Sequence, residues 1–415
     1  MAVIHVLLGV SLILFFGFFA EFLFKKTNVP DVLFLIILGF LIGPNVGNYV
    51  NLNTITELAP VFTTFTLLFL LFDGAFNISL TSLVREFSHS LNLTLFNFFI
   101  SSAIITVVMW FFQFSWMVSL LTGFMLGGVS SAFVIPVLKQ IKISEKMYSL
   151  LTLESALTDV FCIVSALTVM ELINLGNIGL QKIFTQLASL FAVAGLFGIV
   201  GGIIWIILII KVFKQHNYMM TIAYLLLLYV LTEFLQGNGA IAAMFFGLML
   251  KNSKPLTSIL RGIVTHKAKE KKKALKGDLG VSVTTPSEQF FYHQISFLLK
   301  TFFFVYIGLL IDISDHKALI IGGVLSVVIL ASRMSSLALT RKMEPQNRSL
   351  VNSIFARGLA AAAIAQLAII NIPPELVSVA VLEMVMKIAF ITITGTILLS
   401  SIRVFIIKRQ LPKAQ

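Results

Sequence analysis

Of the eighteen acidic residues, three stand deep inside long apolar runs: Asp73, Glu154 and Asp159. Ionisable groups in such surroundings are costly and mark ion paths or proton relays. Glu21, Glu233 and Asp312 lie near the ends of their runs, where snorkelling or loop solvation accounts for them. Glu383 and Lys387 are spaced i,i+4 with the acid first, the favourable order for a local pair. Glu154 and Asp159 are five residues apart, about 500° around a helix axis, so they occupy different faces and suit two jobs. Ser155 precedes Asp159 by four and shares its face, while Thr158 follows Glu154 by four. Arg333 also falls inside an apolar run. A buried guanidinium requires an anion, and its fixed fork fits a carboxylate. The spacing predicts a Glu154–Arg333 pair, leaving Asp159 free to hold a proton or a small cation. Lys300 either faces Asp73 and the same polar region or snorkels to the nearer surface.

These residues need a scaffold that keeps water away from them. The chain has 415 residues, 58% hydrophobic and 12% charged, against about 45–50% and about 25% in soluble domains. That balance excludes a soluble enzyme, a nucleic-acid binder and a disordered tail. Lys and Arg exceed Asp and Glu by thirty to eighteen, a net +12 that the apolar bulk assigns to a membrane surface. Cys162, a single cysteine inside an apolar run, makes no disulfide framework and no sulfur-based metal cluster. Six scattered histidines add no metal spacing or nucleophile arrangement. The start, MAVIHVLLGV, lacks a basic leader and a small-residue cleavage pattern, and reads as a retained helix.

With about 20 apolar residues per crossing, polar breaks and Gly/Pro turns place thirteen spans. They run roughly over 2–24, 31–47, 57–77, 91–112, 115–138, 147–173, 183–211, 218–235, 238–250, 293–312, 318–339, 348–370 and 376–406. The seventh is long enough to tilt or to bend at Gly198–Gly202. Twenty-three of the thirty basic residues fall in one set of alternate loops and only Lys182 and Lys317 in the other. The N-terminus is therefore expected outside and the C-terminus in the cytoplasm. Asp159 then lies roughly 18 Å into span six, near the midplane, and Glu154 roughly 10 Å in. A carboxylate at that depth is costly to keep charged unless something neutralises it, so proton and cation compete for it. Such competition suffices for exchange. The other reading is that Asp159 caps an interrupted helix and carries no ion.

Span five contains Gly127-Gly128-Val129-Ser130-Ser131 and then Pro136, and span twelve contains Arg357-Gly358 before an alanine run. Both look like interrupted helices, seven spans apart. The pattern predicts an all-α polytopic membrane protein of two inverted six-helix repeats plus one helix. The stretch from Lys251 to Ser296, with THKAKEKKKALKGD at its centre, reads as a solvated cytoplasmic connection near anionic headgroups.

Six motifs then occur in order. They are Asn28-Val29-Pro30-Asp31-Val32-Leu33-Phe34, ending Gly39-Phe40-Leu41-Ile42-Gly43-Pro44; Leu70-Leu71-Phe72-Asp73-Gly74; and Leu153-Glu154-Ser155-Ala156-Leu157-Thr158-Asp159. Lys300-Thr301-Phe302-Phe303-Phe304-Val305-Tyr306-Ile307-Gly308, Arg333, and Ala356-Arg357-Gly358-Leu359-Ala360-Ala361 complete the set. Over nearly its whole length the sequence resembles the monovalent cation:proton antiporter superfamily. The resemblance implies an NhaA-like antiporter fold in a single domain over 1–415, acting as a homodimer in the lipid bilayer. Core helices (roughly 57–173 and 293–406) would move against a scaffold (roughly 1–47 and 183–250), with a cytoplasmic basic loop over 251–292. It further implies that Asp159 binds the cation or proton. Ser155, Asp73, Thr158 and the backbone near Ser130 would complete the shell, with Lys300 and Ser131 auxiliary and Glu154–Arg333 structural. Two positions depart from the family pattern. Thr158 stands where members usually have Asn or Asp, and Ser130-Ser131 where many have Thr-Asp, closer to the potassium-efflux-like branch.

The expected activity is exchange of Na⁺, or secondarily K⁺, for protons by alternating access, with no cofactor beyond the transported ions. The runner-up is a cation-coupled organic-solute symporter of the same architecture. A cation-gated channel or sensor is the third reading.

Overall fold

The computed structural model describes residues 2–27, 29–44, 46–47, 52–76, 80–141, 143–175, 180–213, 218–254, 256–257, 284–341 and 343–410. The centre of the basic stretch, residues 258–283, lies outside them. Among the described residues the regular structure is helical. Among the described residues, seven helices are long and apolar enough to cross a membrane, and six shorter apolar helices of 10–17 residues accompany them. Phe15, Phe18 and Phe22 on the first helix are well exposed, a liability in water and normal against lipid. The chain divides into two compact units.

The first unit comprises Met1–Thr64, Ser88–Gly176 and Leu298–Gln415. It holds α1 (Ala2–Thr27), α2 (Asp31–Ile42), the beginning of α3 (Leu52–Ala75) and most of α4 (Leu80–Phe111). Where one fifth span was expected, the chain forms two half-helices, α5 (Trp116–Met125) and α6 (Ser131–Gln140). α7 (Glu145–Leu175) follows.

After the second unit come the end of α11 (Pro286–Leu310) and α12 (His316–Arg333), which tightens into a 3₁₀ turn over Met334–Ala338. Another pair of half-helices, α13 (Pro345–Ser353) and α14 (Leu359–Asn371), precedes α15 (Val379–Gln410). α5 packs on α7, α12 on α15, and α14 on both α7 and α15. Asp315 caps α12 by accepting from the Ala318 amide at 3.1 Å.

The unit includes α1 and α2, which the sequence reading grouped with the scaffold helices. The reason is a close approach of α2 and α11. A Cβ on Gly39 would overlap the Val305 carbonyl, and one on Gly308 the Ile36 carbonyl. Only glycine lets the two backbones meet there. Gly308→Ala must push the helices apart, at a cost on the order of 1–3 kcal/mol. Thermal unfolding in detergent should show a clear loss, while Gly323→Ala, at a position with open space, should leave the midpoint unchanged.

The second unit comprises Phe65–Phe87 and Asn177–Phe297. It contains α8 (Leu180–Ile207), a π-helical turn over Leu208–Phe213, α9 (Tyr218–Phe234) and α10 (Gly239–Lys251). The helix is continuous through Gly198–Gly202. Those glycines serve packing: Gly198 meets Ala242 and Phe245, and Gly202 meets Met249. The irregular turn comes later, at Leu208. Thr285 and Glu288 form a reciprocal cap that starts α11, with the Thr285 amide 2.7 Å from the Glu288 carboxylate. Phe72, Tyr292 and Phe246 stack in this unit's core.

Candidate functional site

The two interrupted helices of the first unit cross at their breaks. An extended stretch without helical hydrogen bonds is tolerated at membrane depth only where protein groups satisfy its backbone. The sequence supplies those groups. The Thr158 hydroxyl accepts from the Val129 amide at 3.0 Å and lies 3.3 Å from the Val129 carbonyl. The Ser130 amide donates to the Ala356 carbonyl at 2.9 Å, joining one break to the other. On the second break the Arg357 amide donates to the Thr396 hydroxyl at 3.1 Å, and the Ser400 hydroxyl donates to the Ser353 carbonyl at 2.6 Å. Gly358 lies so close to Ser130 that any Cβ there would overlap its hydroxyl.

Arg357 completes the crossing. Its guanidinium donates to the Gly128 carbonyl and to the Ser101 hydroxyl. Among the described residues no carboxylate forms an ion pair with it. Its charge instead meets the carbonyl end of α5, the negative end of that half-helix. Sequence reasoning counted Arg357 among the basic residues inside spans but gave it no role in the site. The available signal was a guanidinium beside a helix-breaking Gly358.

Asp159, on α7, reaches the start of α6. Its Oδ2 accepts from the Ser131 hydroxyl at 2.6 Å and from the Ser131 amide at 3.3 Å. The residue is partly exposed, in contrast to Glu154 at 1%. Glu154 is fully engaged. Arg333 Nη1 and Nη2 bind its two oxygens at 2.5 and 2.9 Å, and Asn97 Nδ2 donates to Oε1 at 2.9 Å. Arg333 also donates from Nε to the Val351 carbonyl at 2.9 Å. The expected pair therefore forms, with Asn97 as a partner that sequence reasoning missed. An uncharged amide inside an apolar run was its only signal.

Other expected residues are arranged differently. The Ser155 hydroxyl donates back to the Thr152 carbonyl at 2.9 Å, the bond commonly open to a helical serine, so it does not join Asp159. Thr158 serves the break, as described. Ser130 contributes its backbone to the crossing, and its side chain makes no cap bond to α6.

Lys300 binds Asp31 Oδ2 at 2.7 Å, tying α11 to the start of α2. Asp31 belongs to the first motif, but sequence reasoning assigned it no partner. Asp73 belongs to the second unit, where His293 Nδ1 lies 3.0 Å from Oδ1. Lys387 does not pair with Glu383. It reaches Asp312 at 3.0 Å and Asp315 at 3.2 Å across the α11–α12 turn. Asp312, outside the spanning helices, has its carboxyl pulled down to about 2, chiefly by the Ser314 hydroxyl and then by Lys387.

The arrangement divides the two acids of α7. One is locked in a bidentate ion pair, and the other is held through one oxygen beside a pair of crossed helix breaks. A family model for the transmembrane sodium/hydrogen exchanger matches residues 10–408. The chain belongs to the sodium/hydrogen exchanger family. It is therefore a multi-pass membrane protein of the monovalent cation:proton antiporter superfamily, in agreement with the motif resemblance.

The K⁺/H⁺ antiporter NhaP2 of Shewanella oneidensis is 24% identical over 235 residues, 55% of this chain and 40% of that protein. The match thus spans well under half of that relative's length. The sodium proton antiporter MjNhaP1 of Methanocaldococcus jannaschii, solved at pH 8, superimposes with a TM-score of 0.76 at 20% identity, covering the whole of both chains. An electron-microscopy structure of MjNhaP1 gives 0.74 at 18% identity, also over both whole chains. This chain shares their fold. These relatives are transporters, not enzymes.

Proposed function

We propose that this exchanger trades a monovalent cation, Na⁺ first and K⁺ second, for protons by alternating access at Asp159. The observation that carries the reading is the contrast on α7. Glu154 has both oxygens committed to Arg333, whereas the described bonds to Asp159 all fall on Oδ2 and the residue keeps accessible surface. A carboxylate so placed binds either a proton or a small cation, and each leaves when the other arrives. Ser131 and the backbone around Ser130 line the site, Thr158 holds the α5–α6 break against it, and Glu154–Arg333 keeps the surrounding helices together. The sodium proton antiporter fold supports Na⁺. The K⁺/H⁺ relative and the Ser130-Ser131 pair support K⁺ as the second candidate.

Two pairs of half-helices, α5–α6 and α13–α14, support an inverted-repeat design. In that design thirteen segments cross the cell membrane, with the N-terminus outside and the C-terminus cytoplasmic. We also expect a homodimer. Proteoliposomes carrying an imposed pH gradient test the activity. With the membrane potential clamped, added Na⁺ or K⁺ should collapse the gradient. A gradient that persists with both ions would refute the proposal.

A further inference from the structure

The link between Asp159 and α6 does more than anchor a carboxylate. Helix N-termini need acceptors for their free amides, and Ser, Thr, Asp or Asn at the N-cap normally provides one. Ser130 occupies the N-cap of α6 and makes no side-chain cap bond. The cap comes from another helix, since Asp159 on α7 takes both the amide and the hydroxyl hydrogen of Ser131 on one oxygen. A cation bound to this carboxylate must share its electron density with that hydroxyl hydrogen. It must also sit at the positive end of α6, where positive charge is disfavoured.

We propose that Ser131 is a competing internal ligand for Asp159: its hydroxyl hydrogen occupies the carboxylate until a cation displaces it, and so sets how tightly the cation is held. The inference rests on the reading of Asp159 as the ion site. Cation binding then breaks the Ser131 hydroxyl bond to Oδ2 and leaves the amide to hold the start of α6. Cation release restores the full cap. The competitor keeps affinity low enough for the ion to leave. It also makes the fit of α6 against α7 depend on what Asp159 carries.

The sign of the effect separates this role from the alternative, in which the Ser131 oxygen coordinates the cation. Removing a competitor tightens binding, and removing a ligand weakens it. The test uses the full chain in proteoliposomes, with Na⁺ and K⁺ as probes at alkaline pH, where protons compete least. Ser131→Ala should lower the KM for the cation by about ten- to a hundredfold, the range set by one hydrogen bond to a charged group. The maximal rate should fall, because release slows. Ser131→Thr should restore the parent values, and Ser131→Cys, a weaker donor of similar size, should fall between. In purified protein, Ser131→Ala should also be stabilised against heat at lower cation concentration than the parent. A raised or unchanged KM in Ser131→Ala would overturn the inference. Exchange at the parent rate in Asp159→Asn would instead remove the reading on which it rests, so the two failures are told apart.

Discussion

Asp159→Asn should abolish exchange of Na⁺ and of K⁺ for protons while leaving the protein folded. The amide cannot take up or give away a proton at any working pH, and it lacks the charge that holds a cation in a poorly hydrated site. Losing that charge lowers cation affinity by several kcal/mol, so exchange should fall by about a hundredfold or more. Stability should survive, because the Asn carbonyl oxygen can still accept from Ser131 at the start of α6. Exchange in proteoliposomes, alongside the unfolding midpoint of the same preparation, checks both halves of the result. A variant that loses exchange and midpoint together would make Asp159 a structural cap.

The second large effect is on stability. Arg333→Ala strands Glu154 at 1% exposure, with Asn97 as its remaining described partner. Breaking one side of a buried pair costs about 3–5 kcal/mol, most of it from the charge left behind. Glu154→Gln made in the same chain should recover much of that loss, because the amide carries no charge and can bond to Asn97. The double variant should therefore cost clearly less than the sum of the singles, as expected for residues in contact. Thermal unfolding of the parent, both single variants and the double variant measures the coupling. Additive losses would mean that the bidentate geometry contributes nothing to the fold.

The Glu154–Arg333 pair was legible in the sequence because a carboxylate is the strongest partner for a guanidinium inside an apolar run, and few are available at that depth. The α5–α6 break was legible because Gly127-Gly128 disfavours a continuous helix, whereas Pro136 sits inside α6 and does not interrupt it. What escaped was the choice among equivalent chemistries. Gly198 and Gly202 allow either a bend or a close neighbour, and only α10 lying against α8 decides for packing.

Lys300 could have met any acid of suitable depth. Its partner Asp31 lies 269 residues away in sequence, at the start of α2. Ser155 shares a face with Asp159, but facing does not bond: its hydroxyl finds a carbonyl one turn back on its own helix. Lys387 illustrates the same point, since an i,i+4 partner on its helix lost to two aspartates around a neighbouring turn. Arg357 is the clearest omission. Its partners are a carbonyl and a hydroxyl at the crossed breaks, and no spacing rule for acids and bases points to them.

Competition between proton and cation for one carboxylate can be measured without transport. Purified protein in weakly buffered solution, set to a pH where Asp159 is largely protonated, should release protons when Na⁺ or K⁺ is added. Release should approach about one proton per chain at saturation, the capacity of a single carboxyl group. Asp159→Asn should release none, and Asp73→Asn should release as much as the parent. Proton release of parent size from Asp159→Asn would contradict the account.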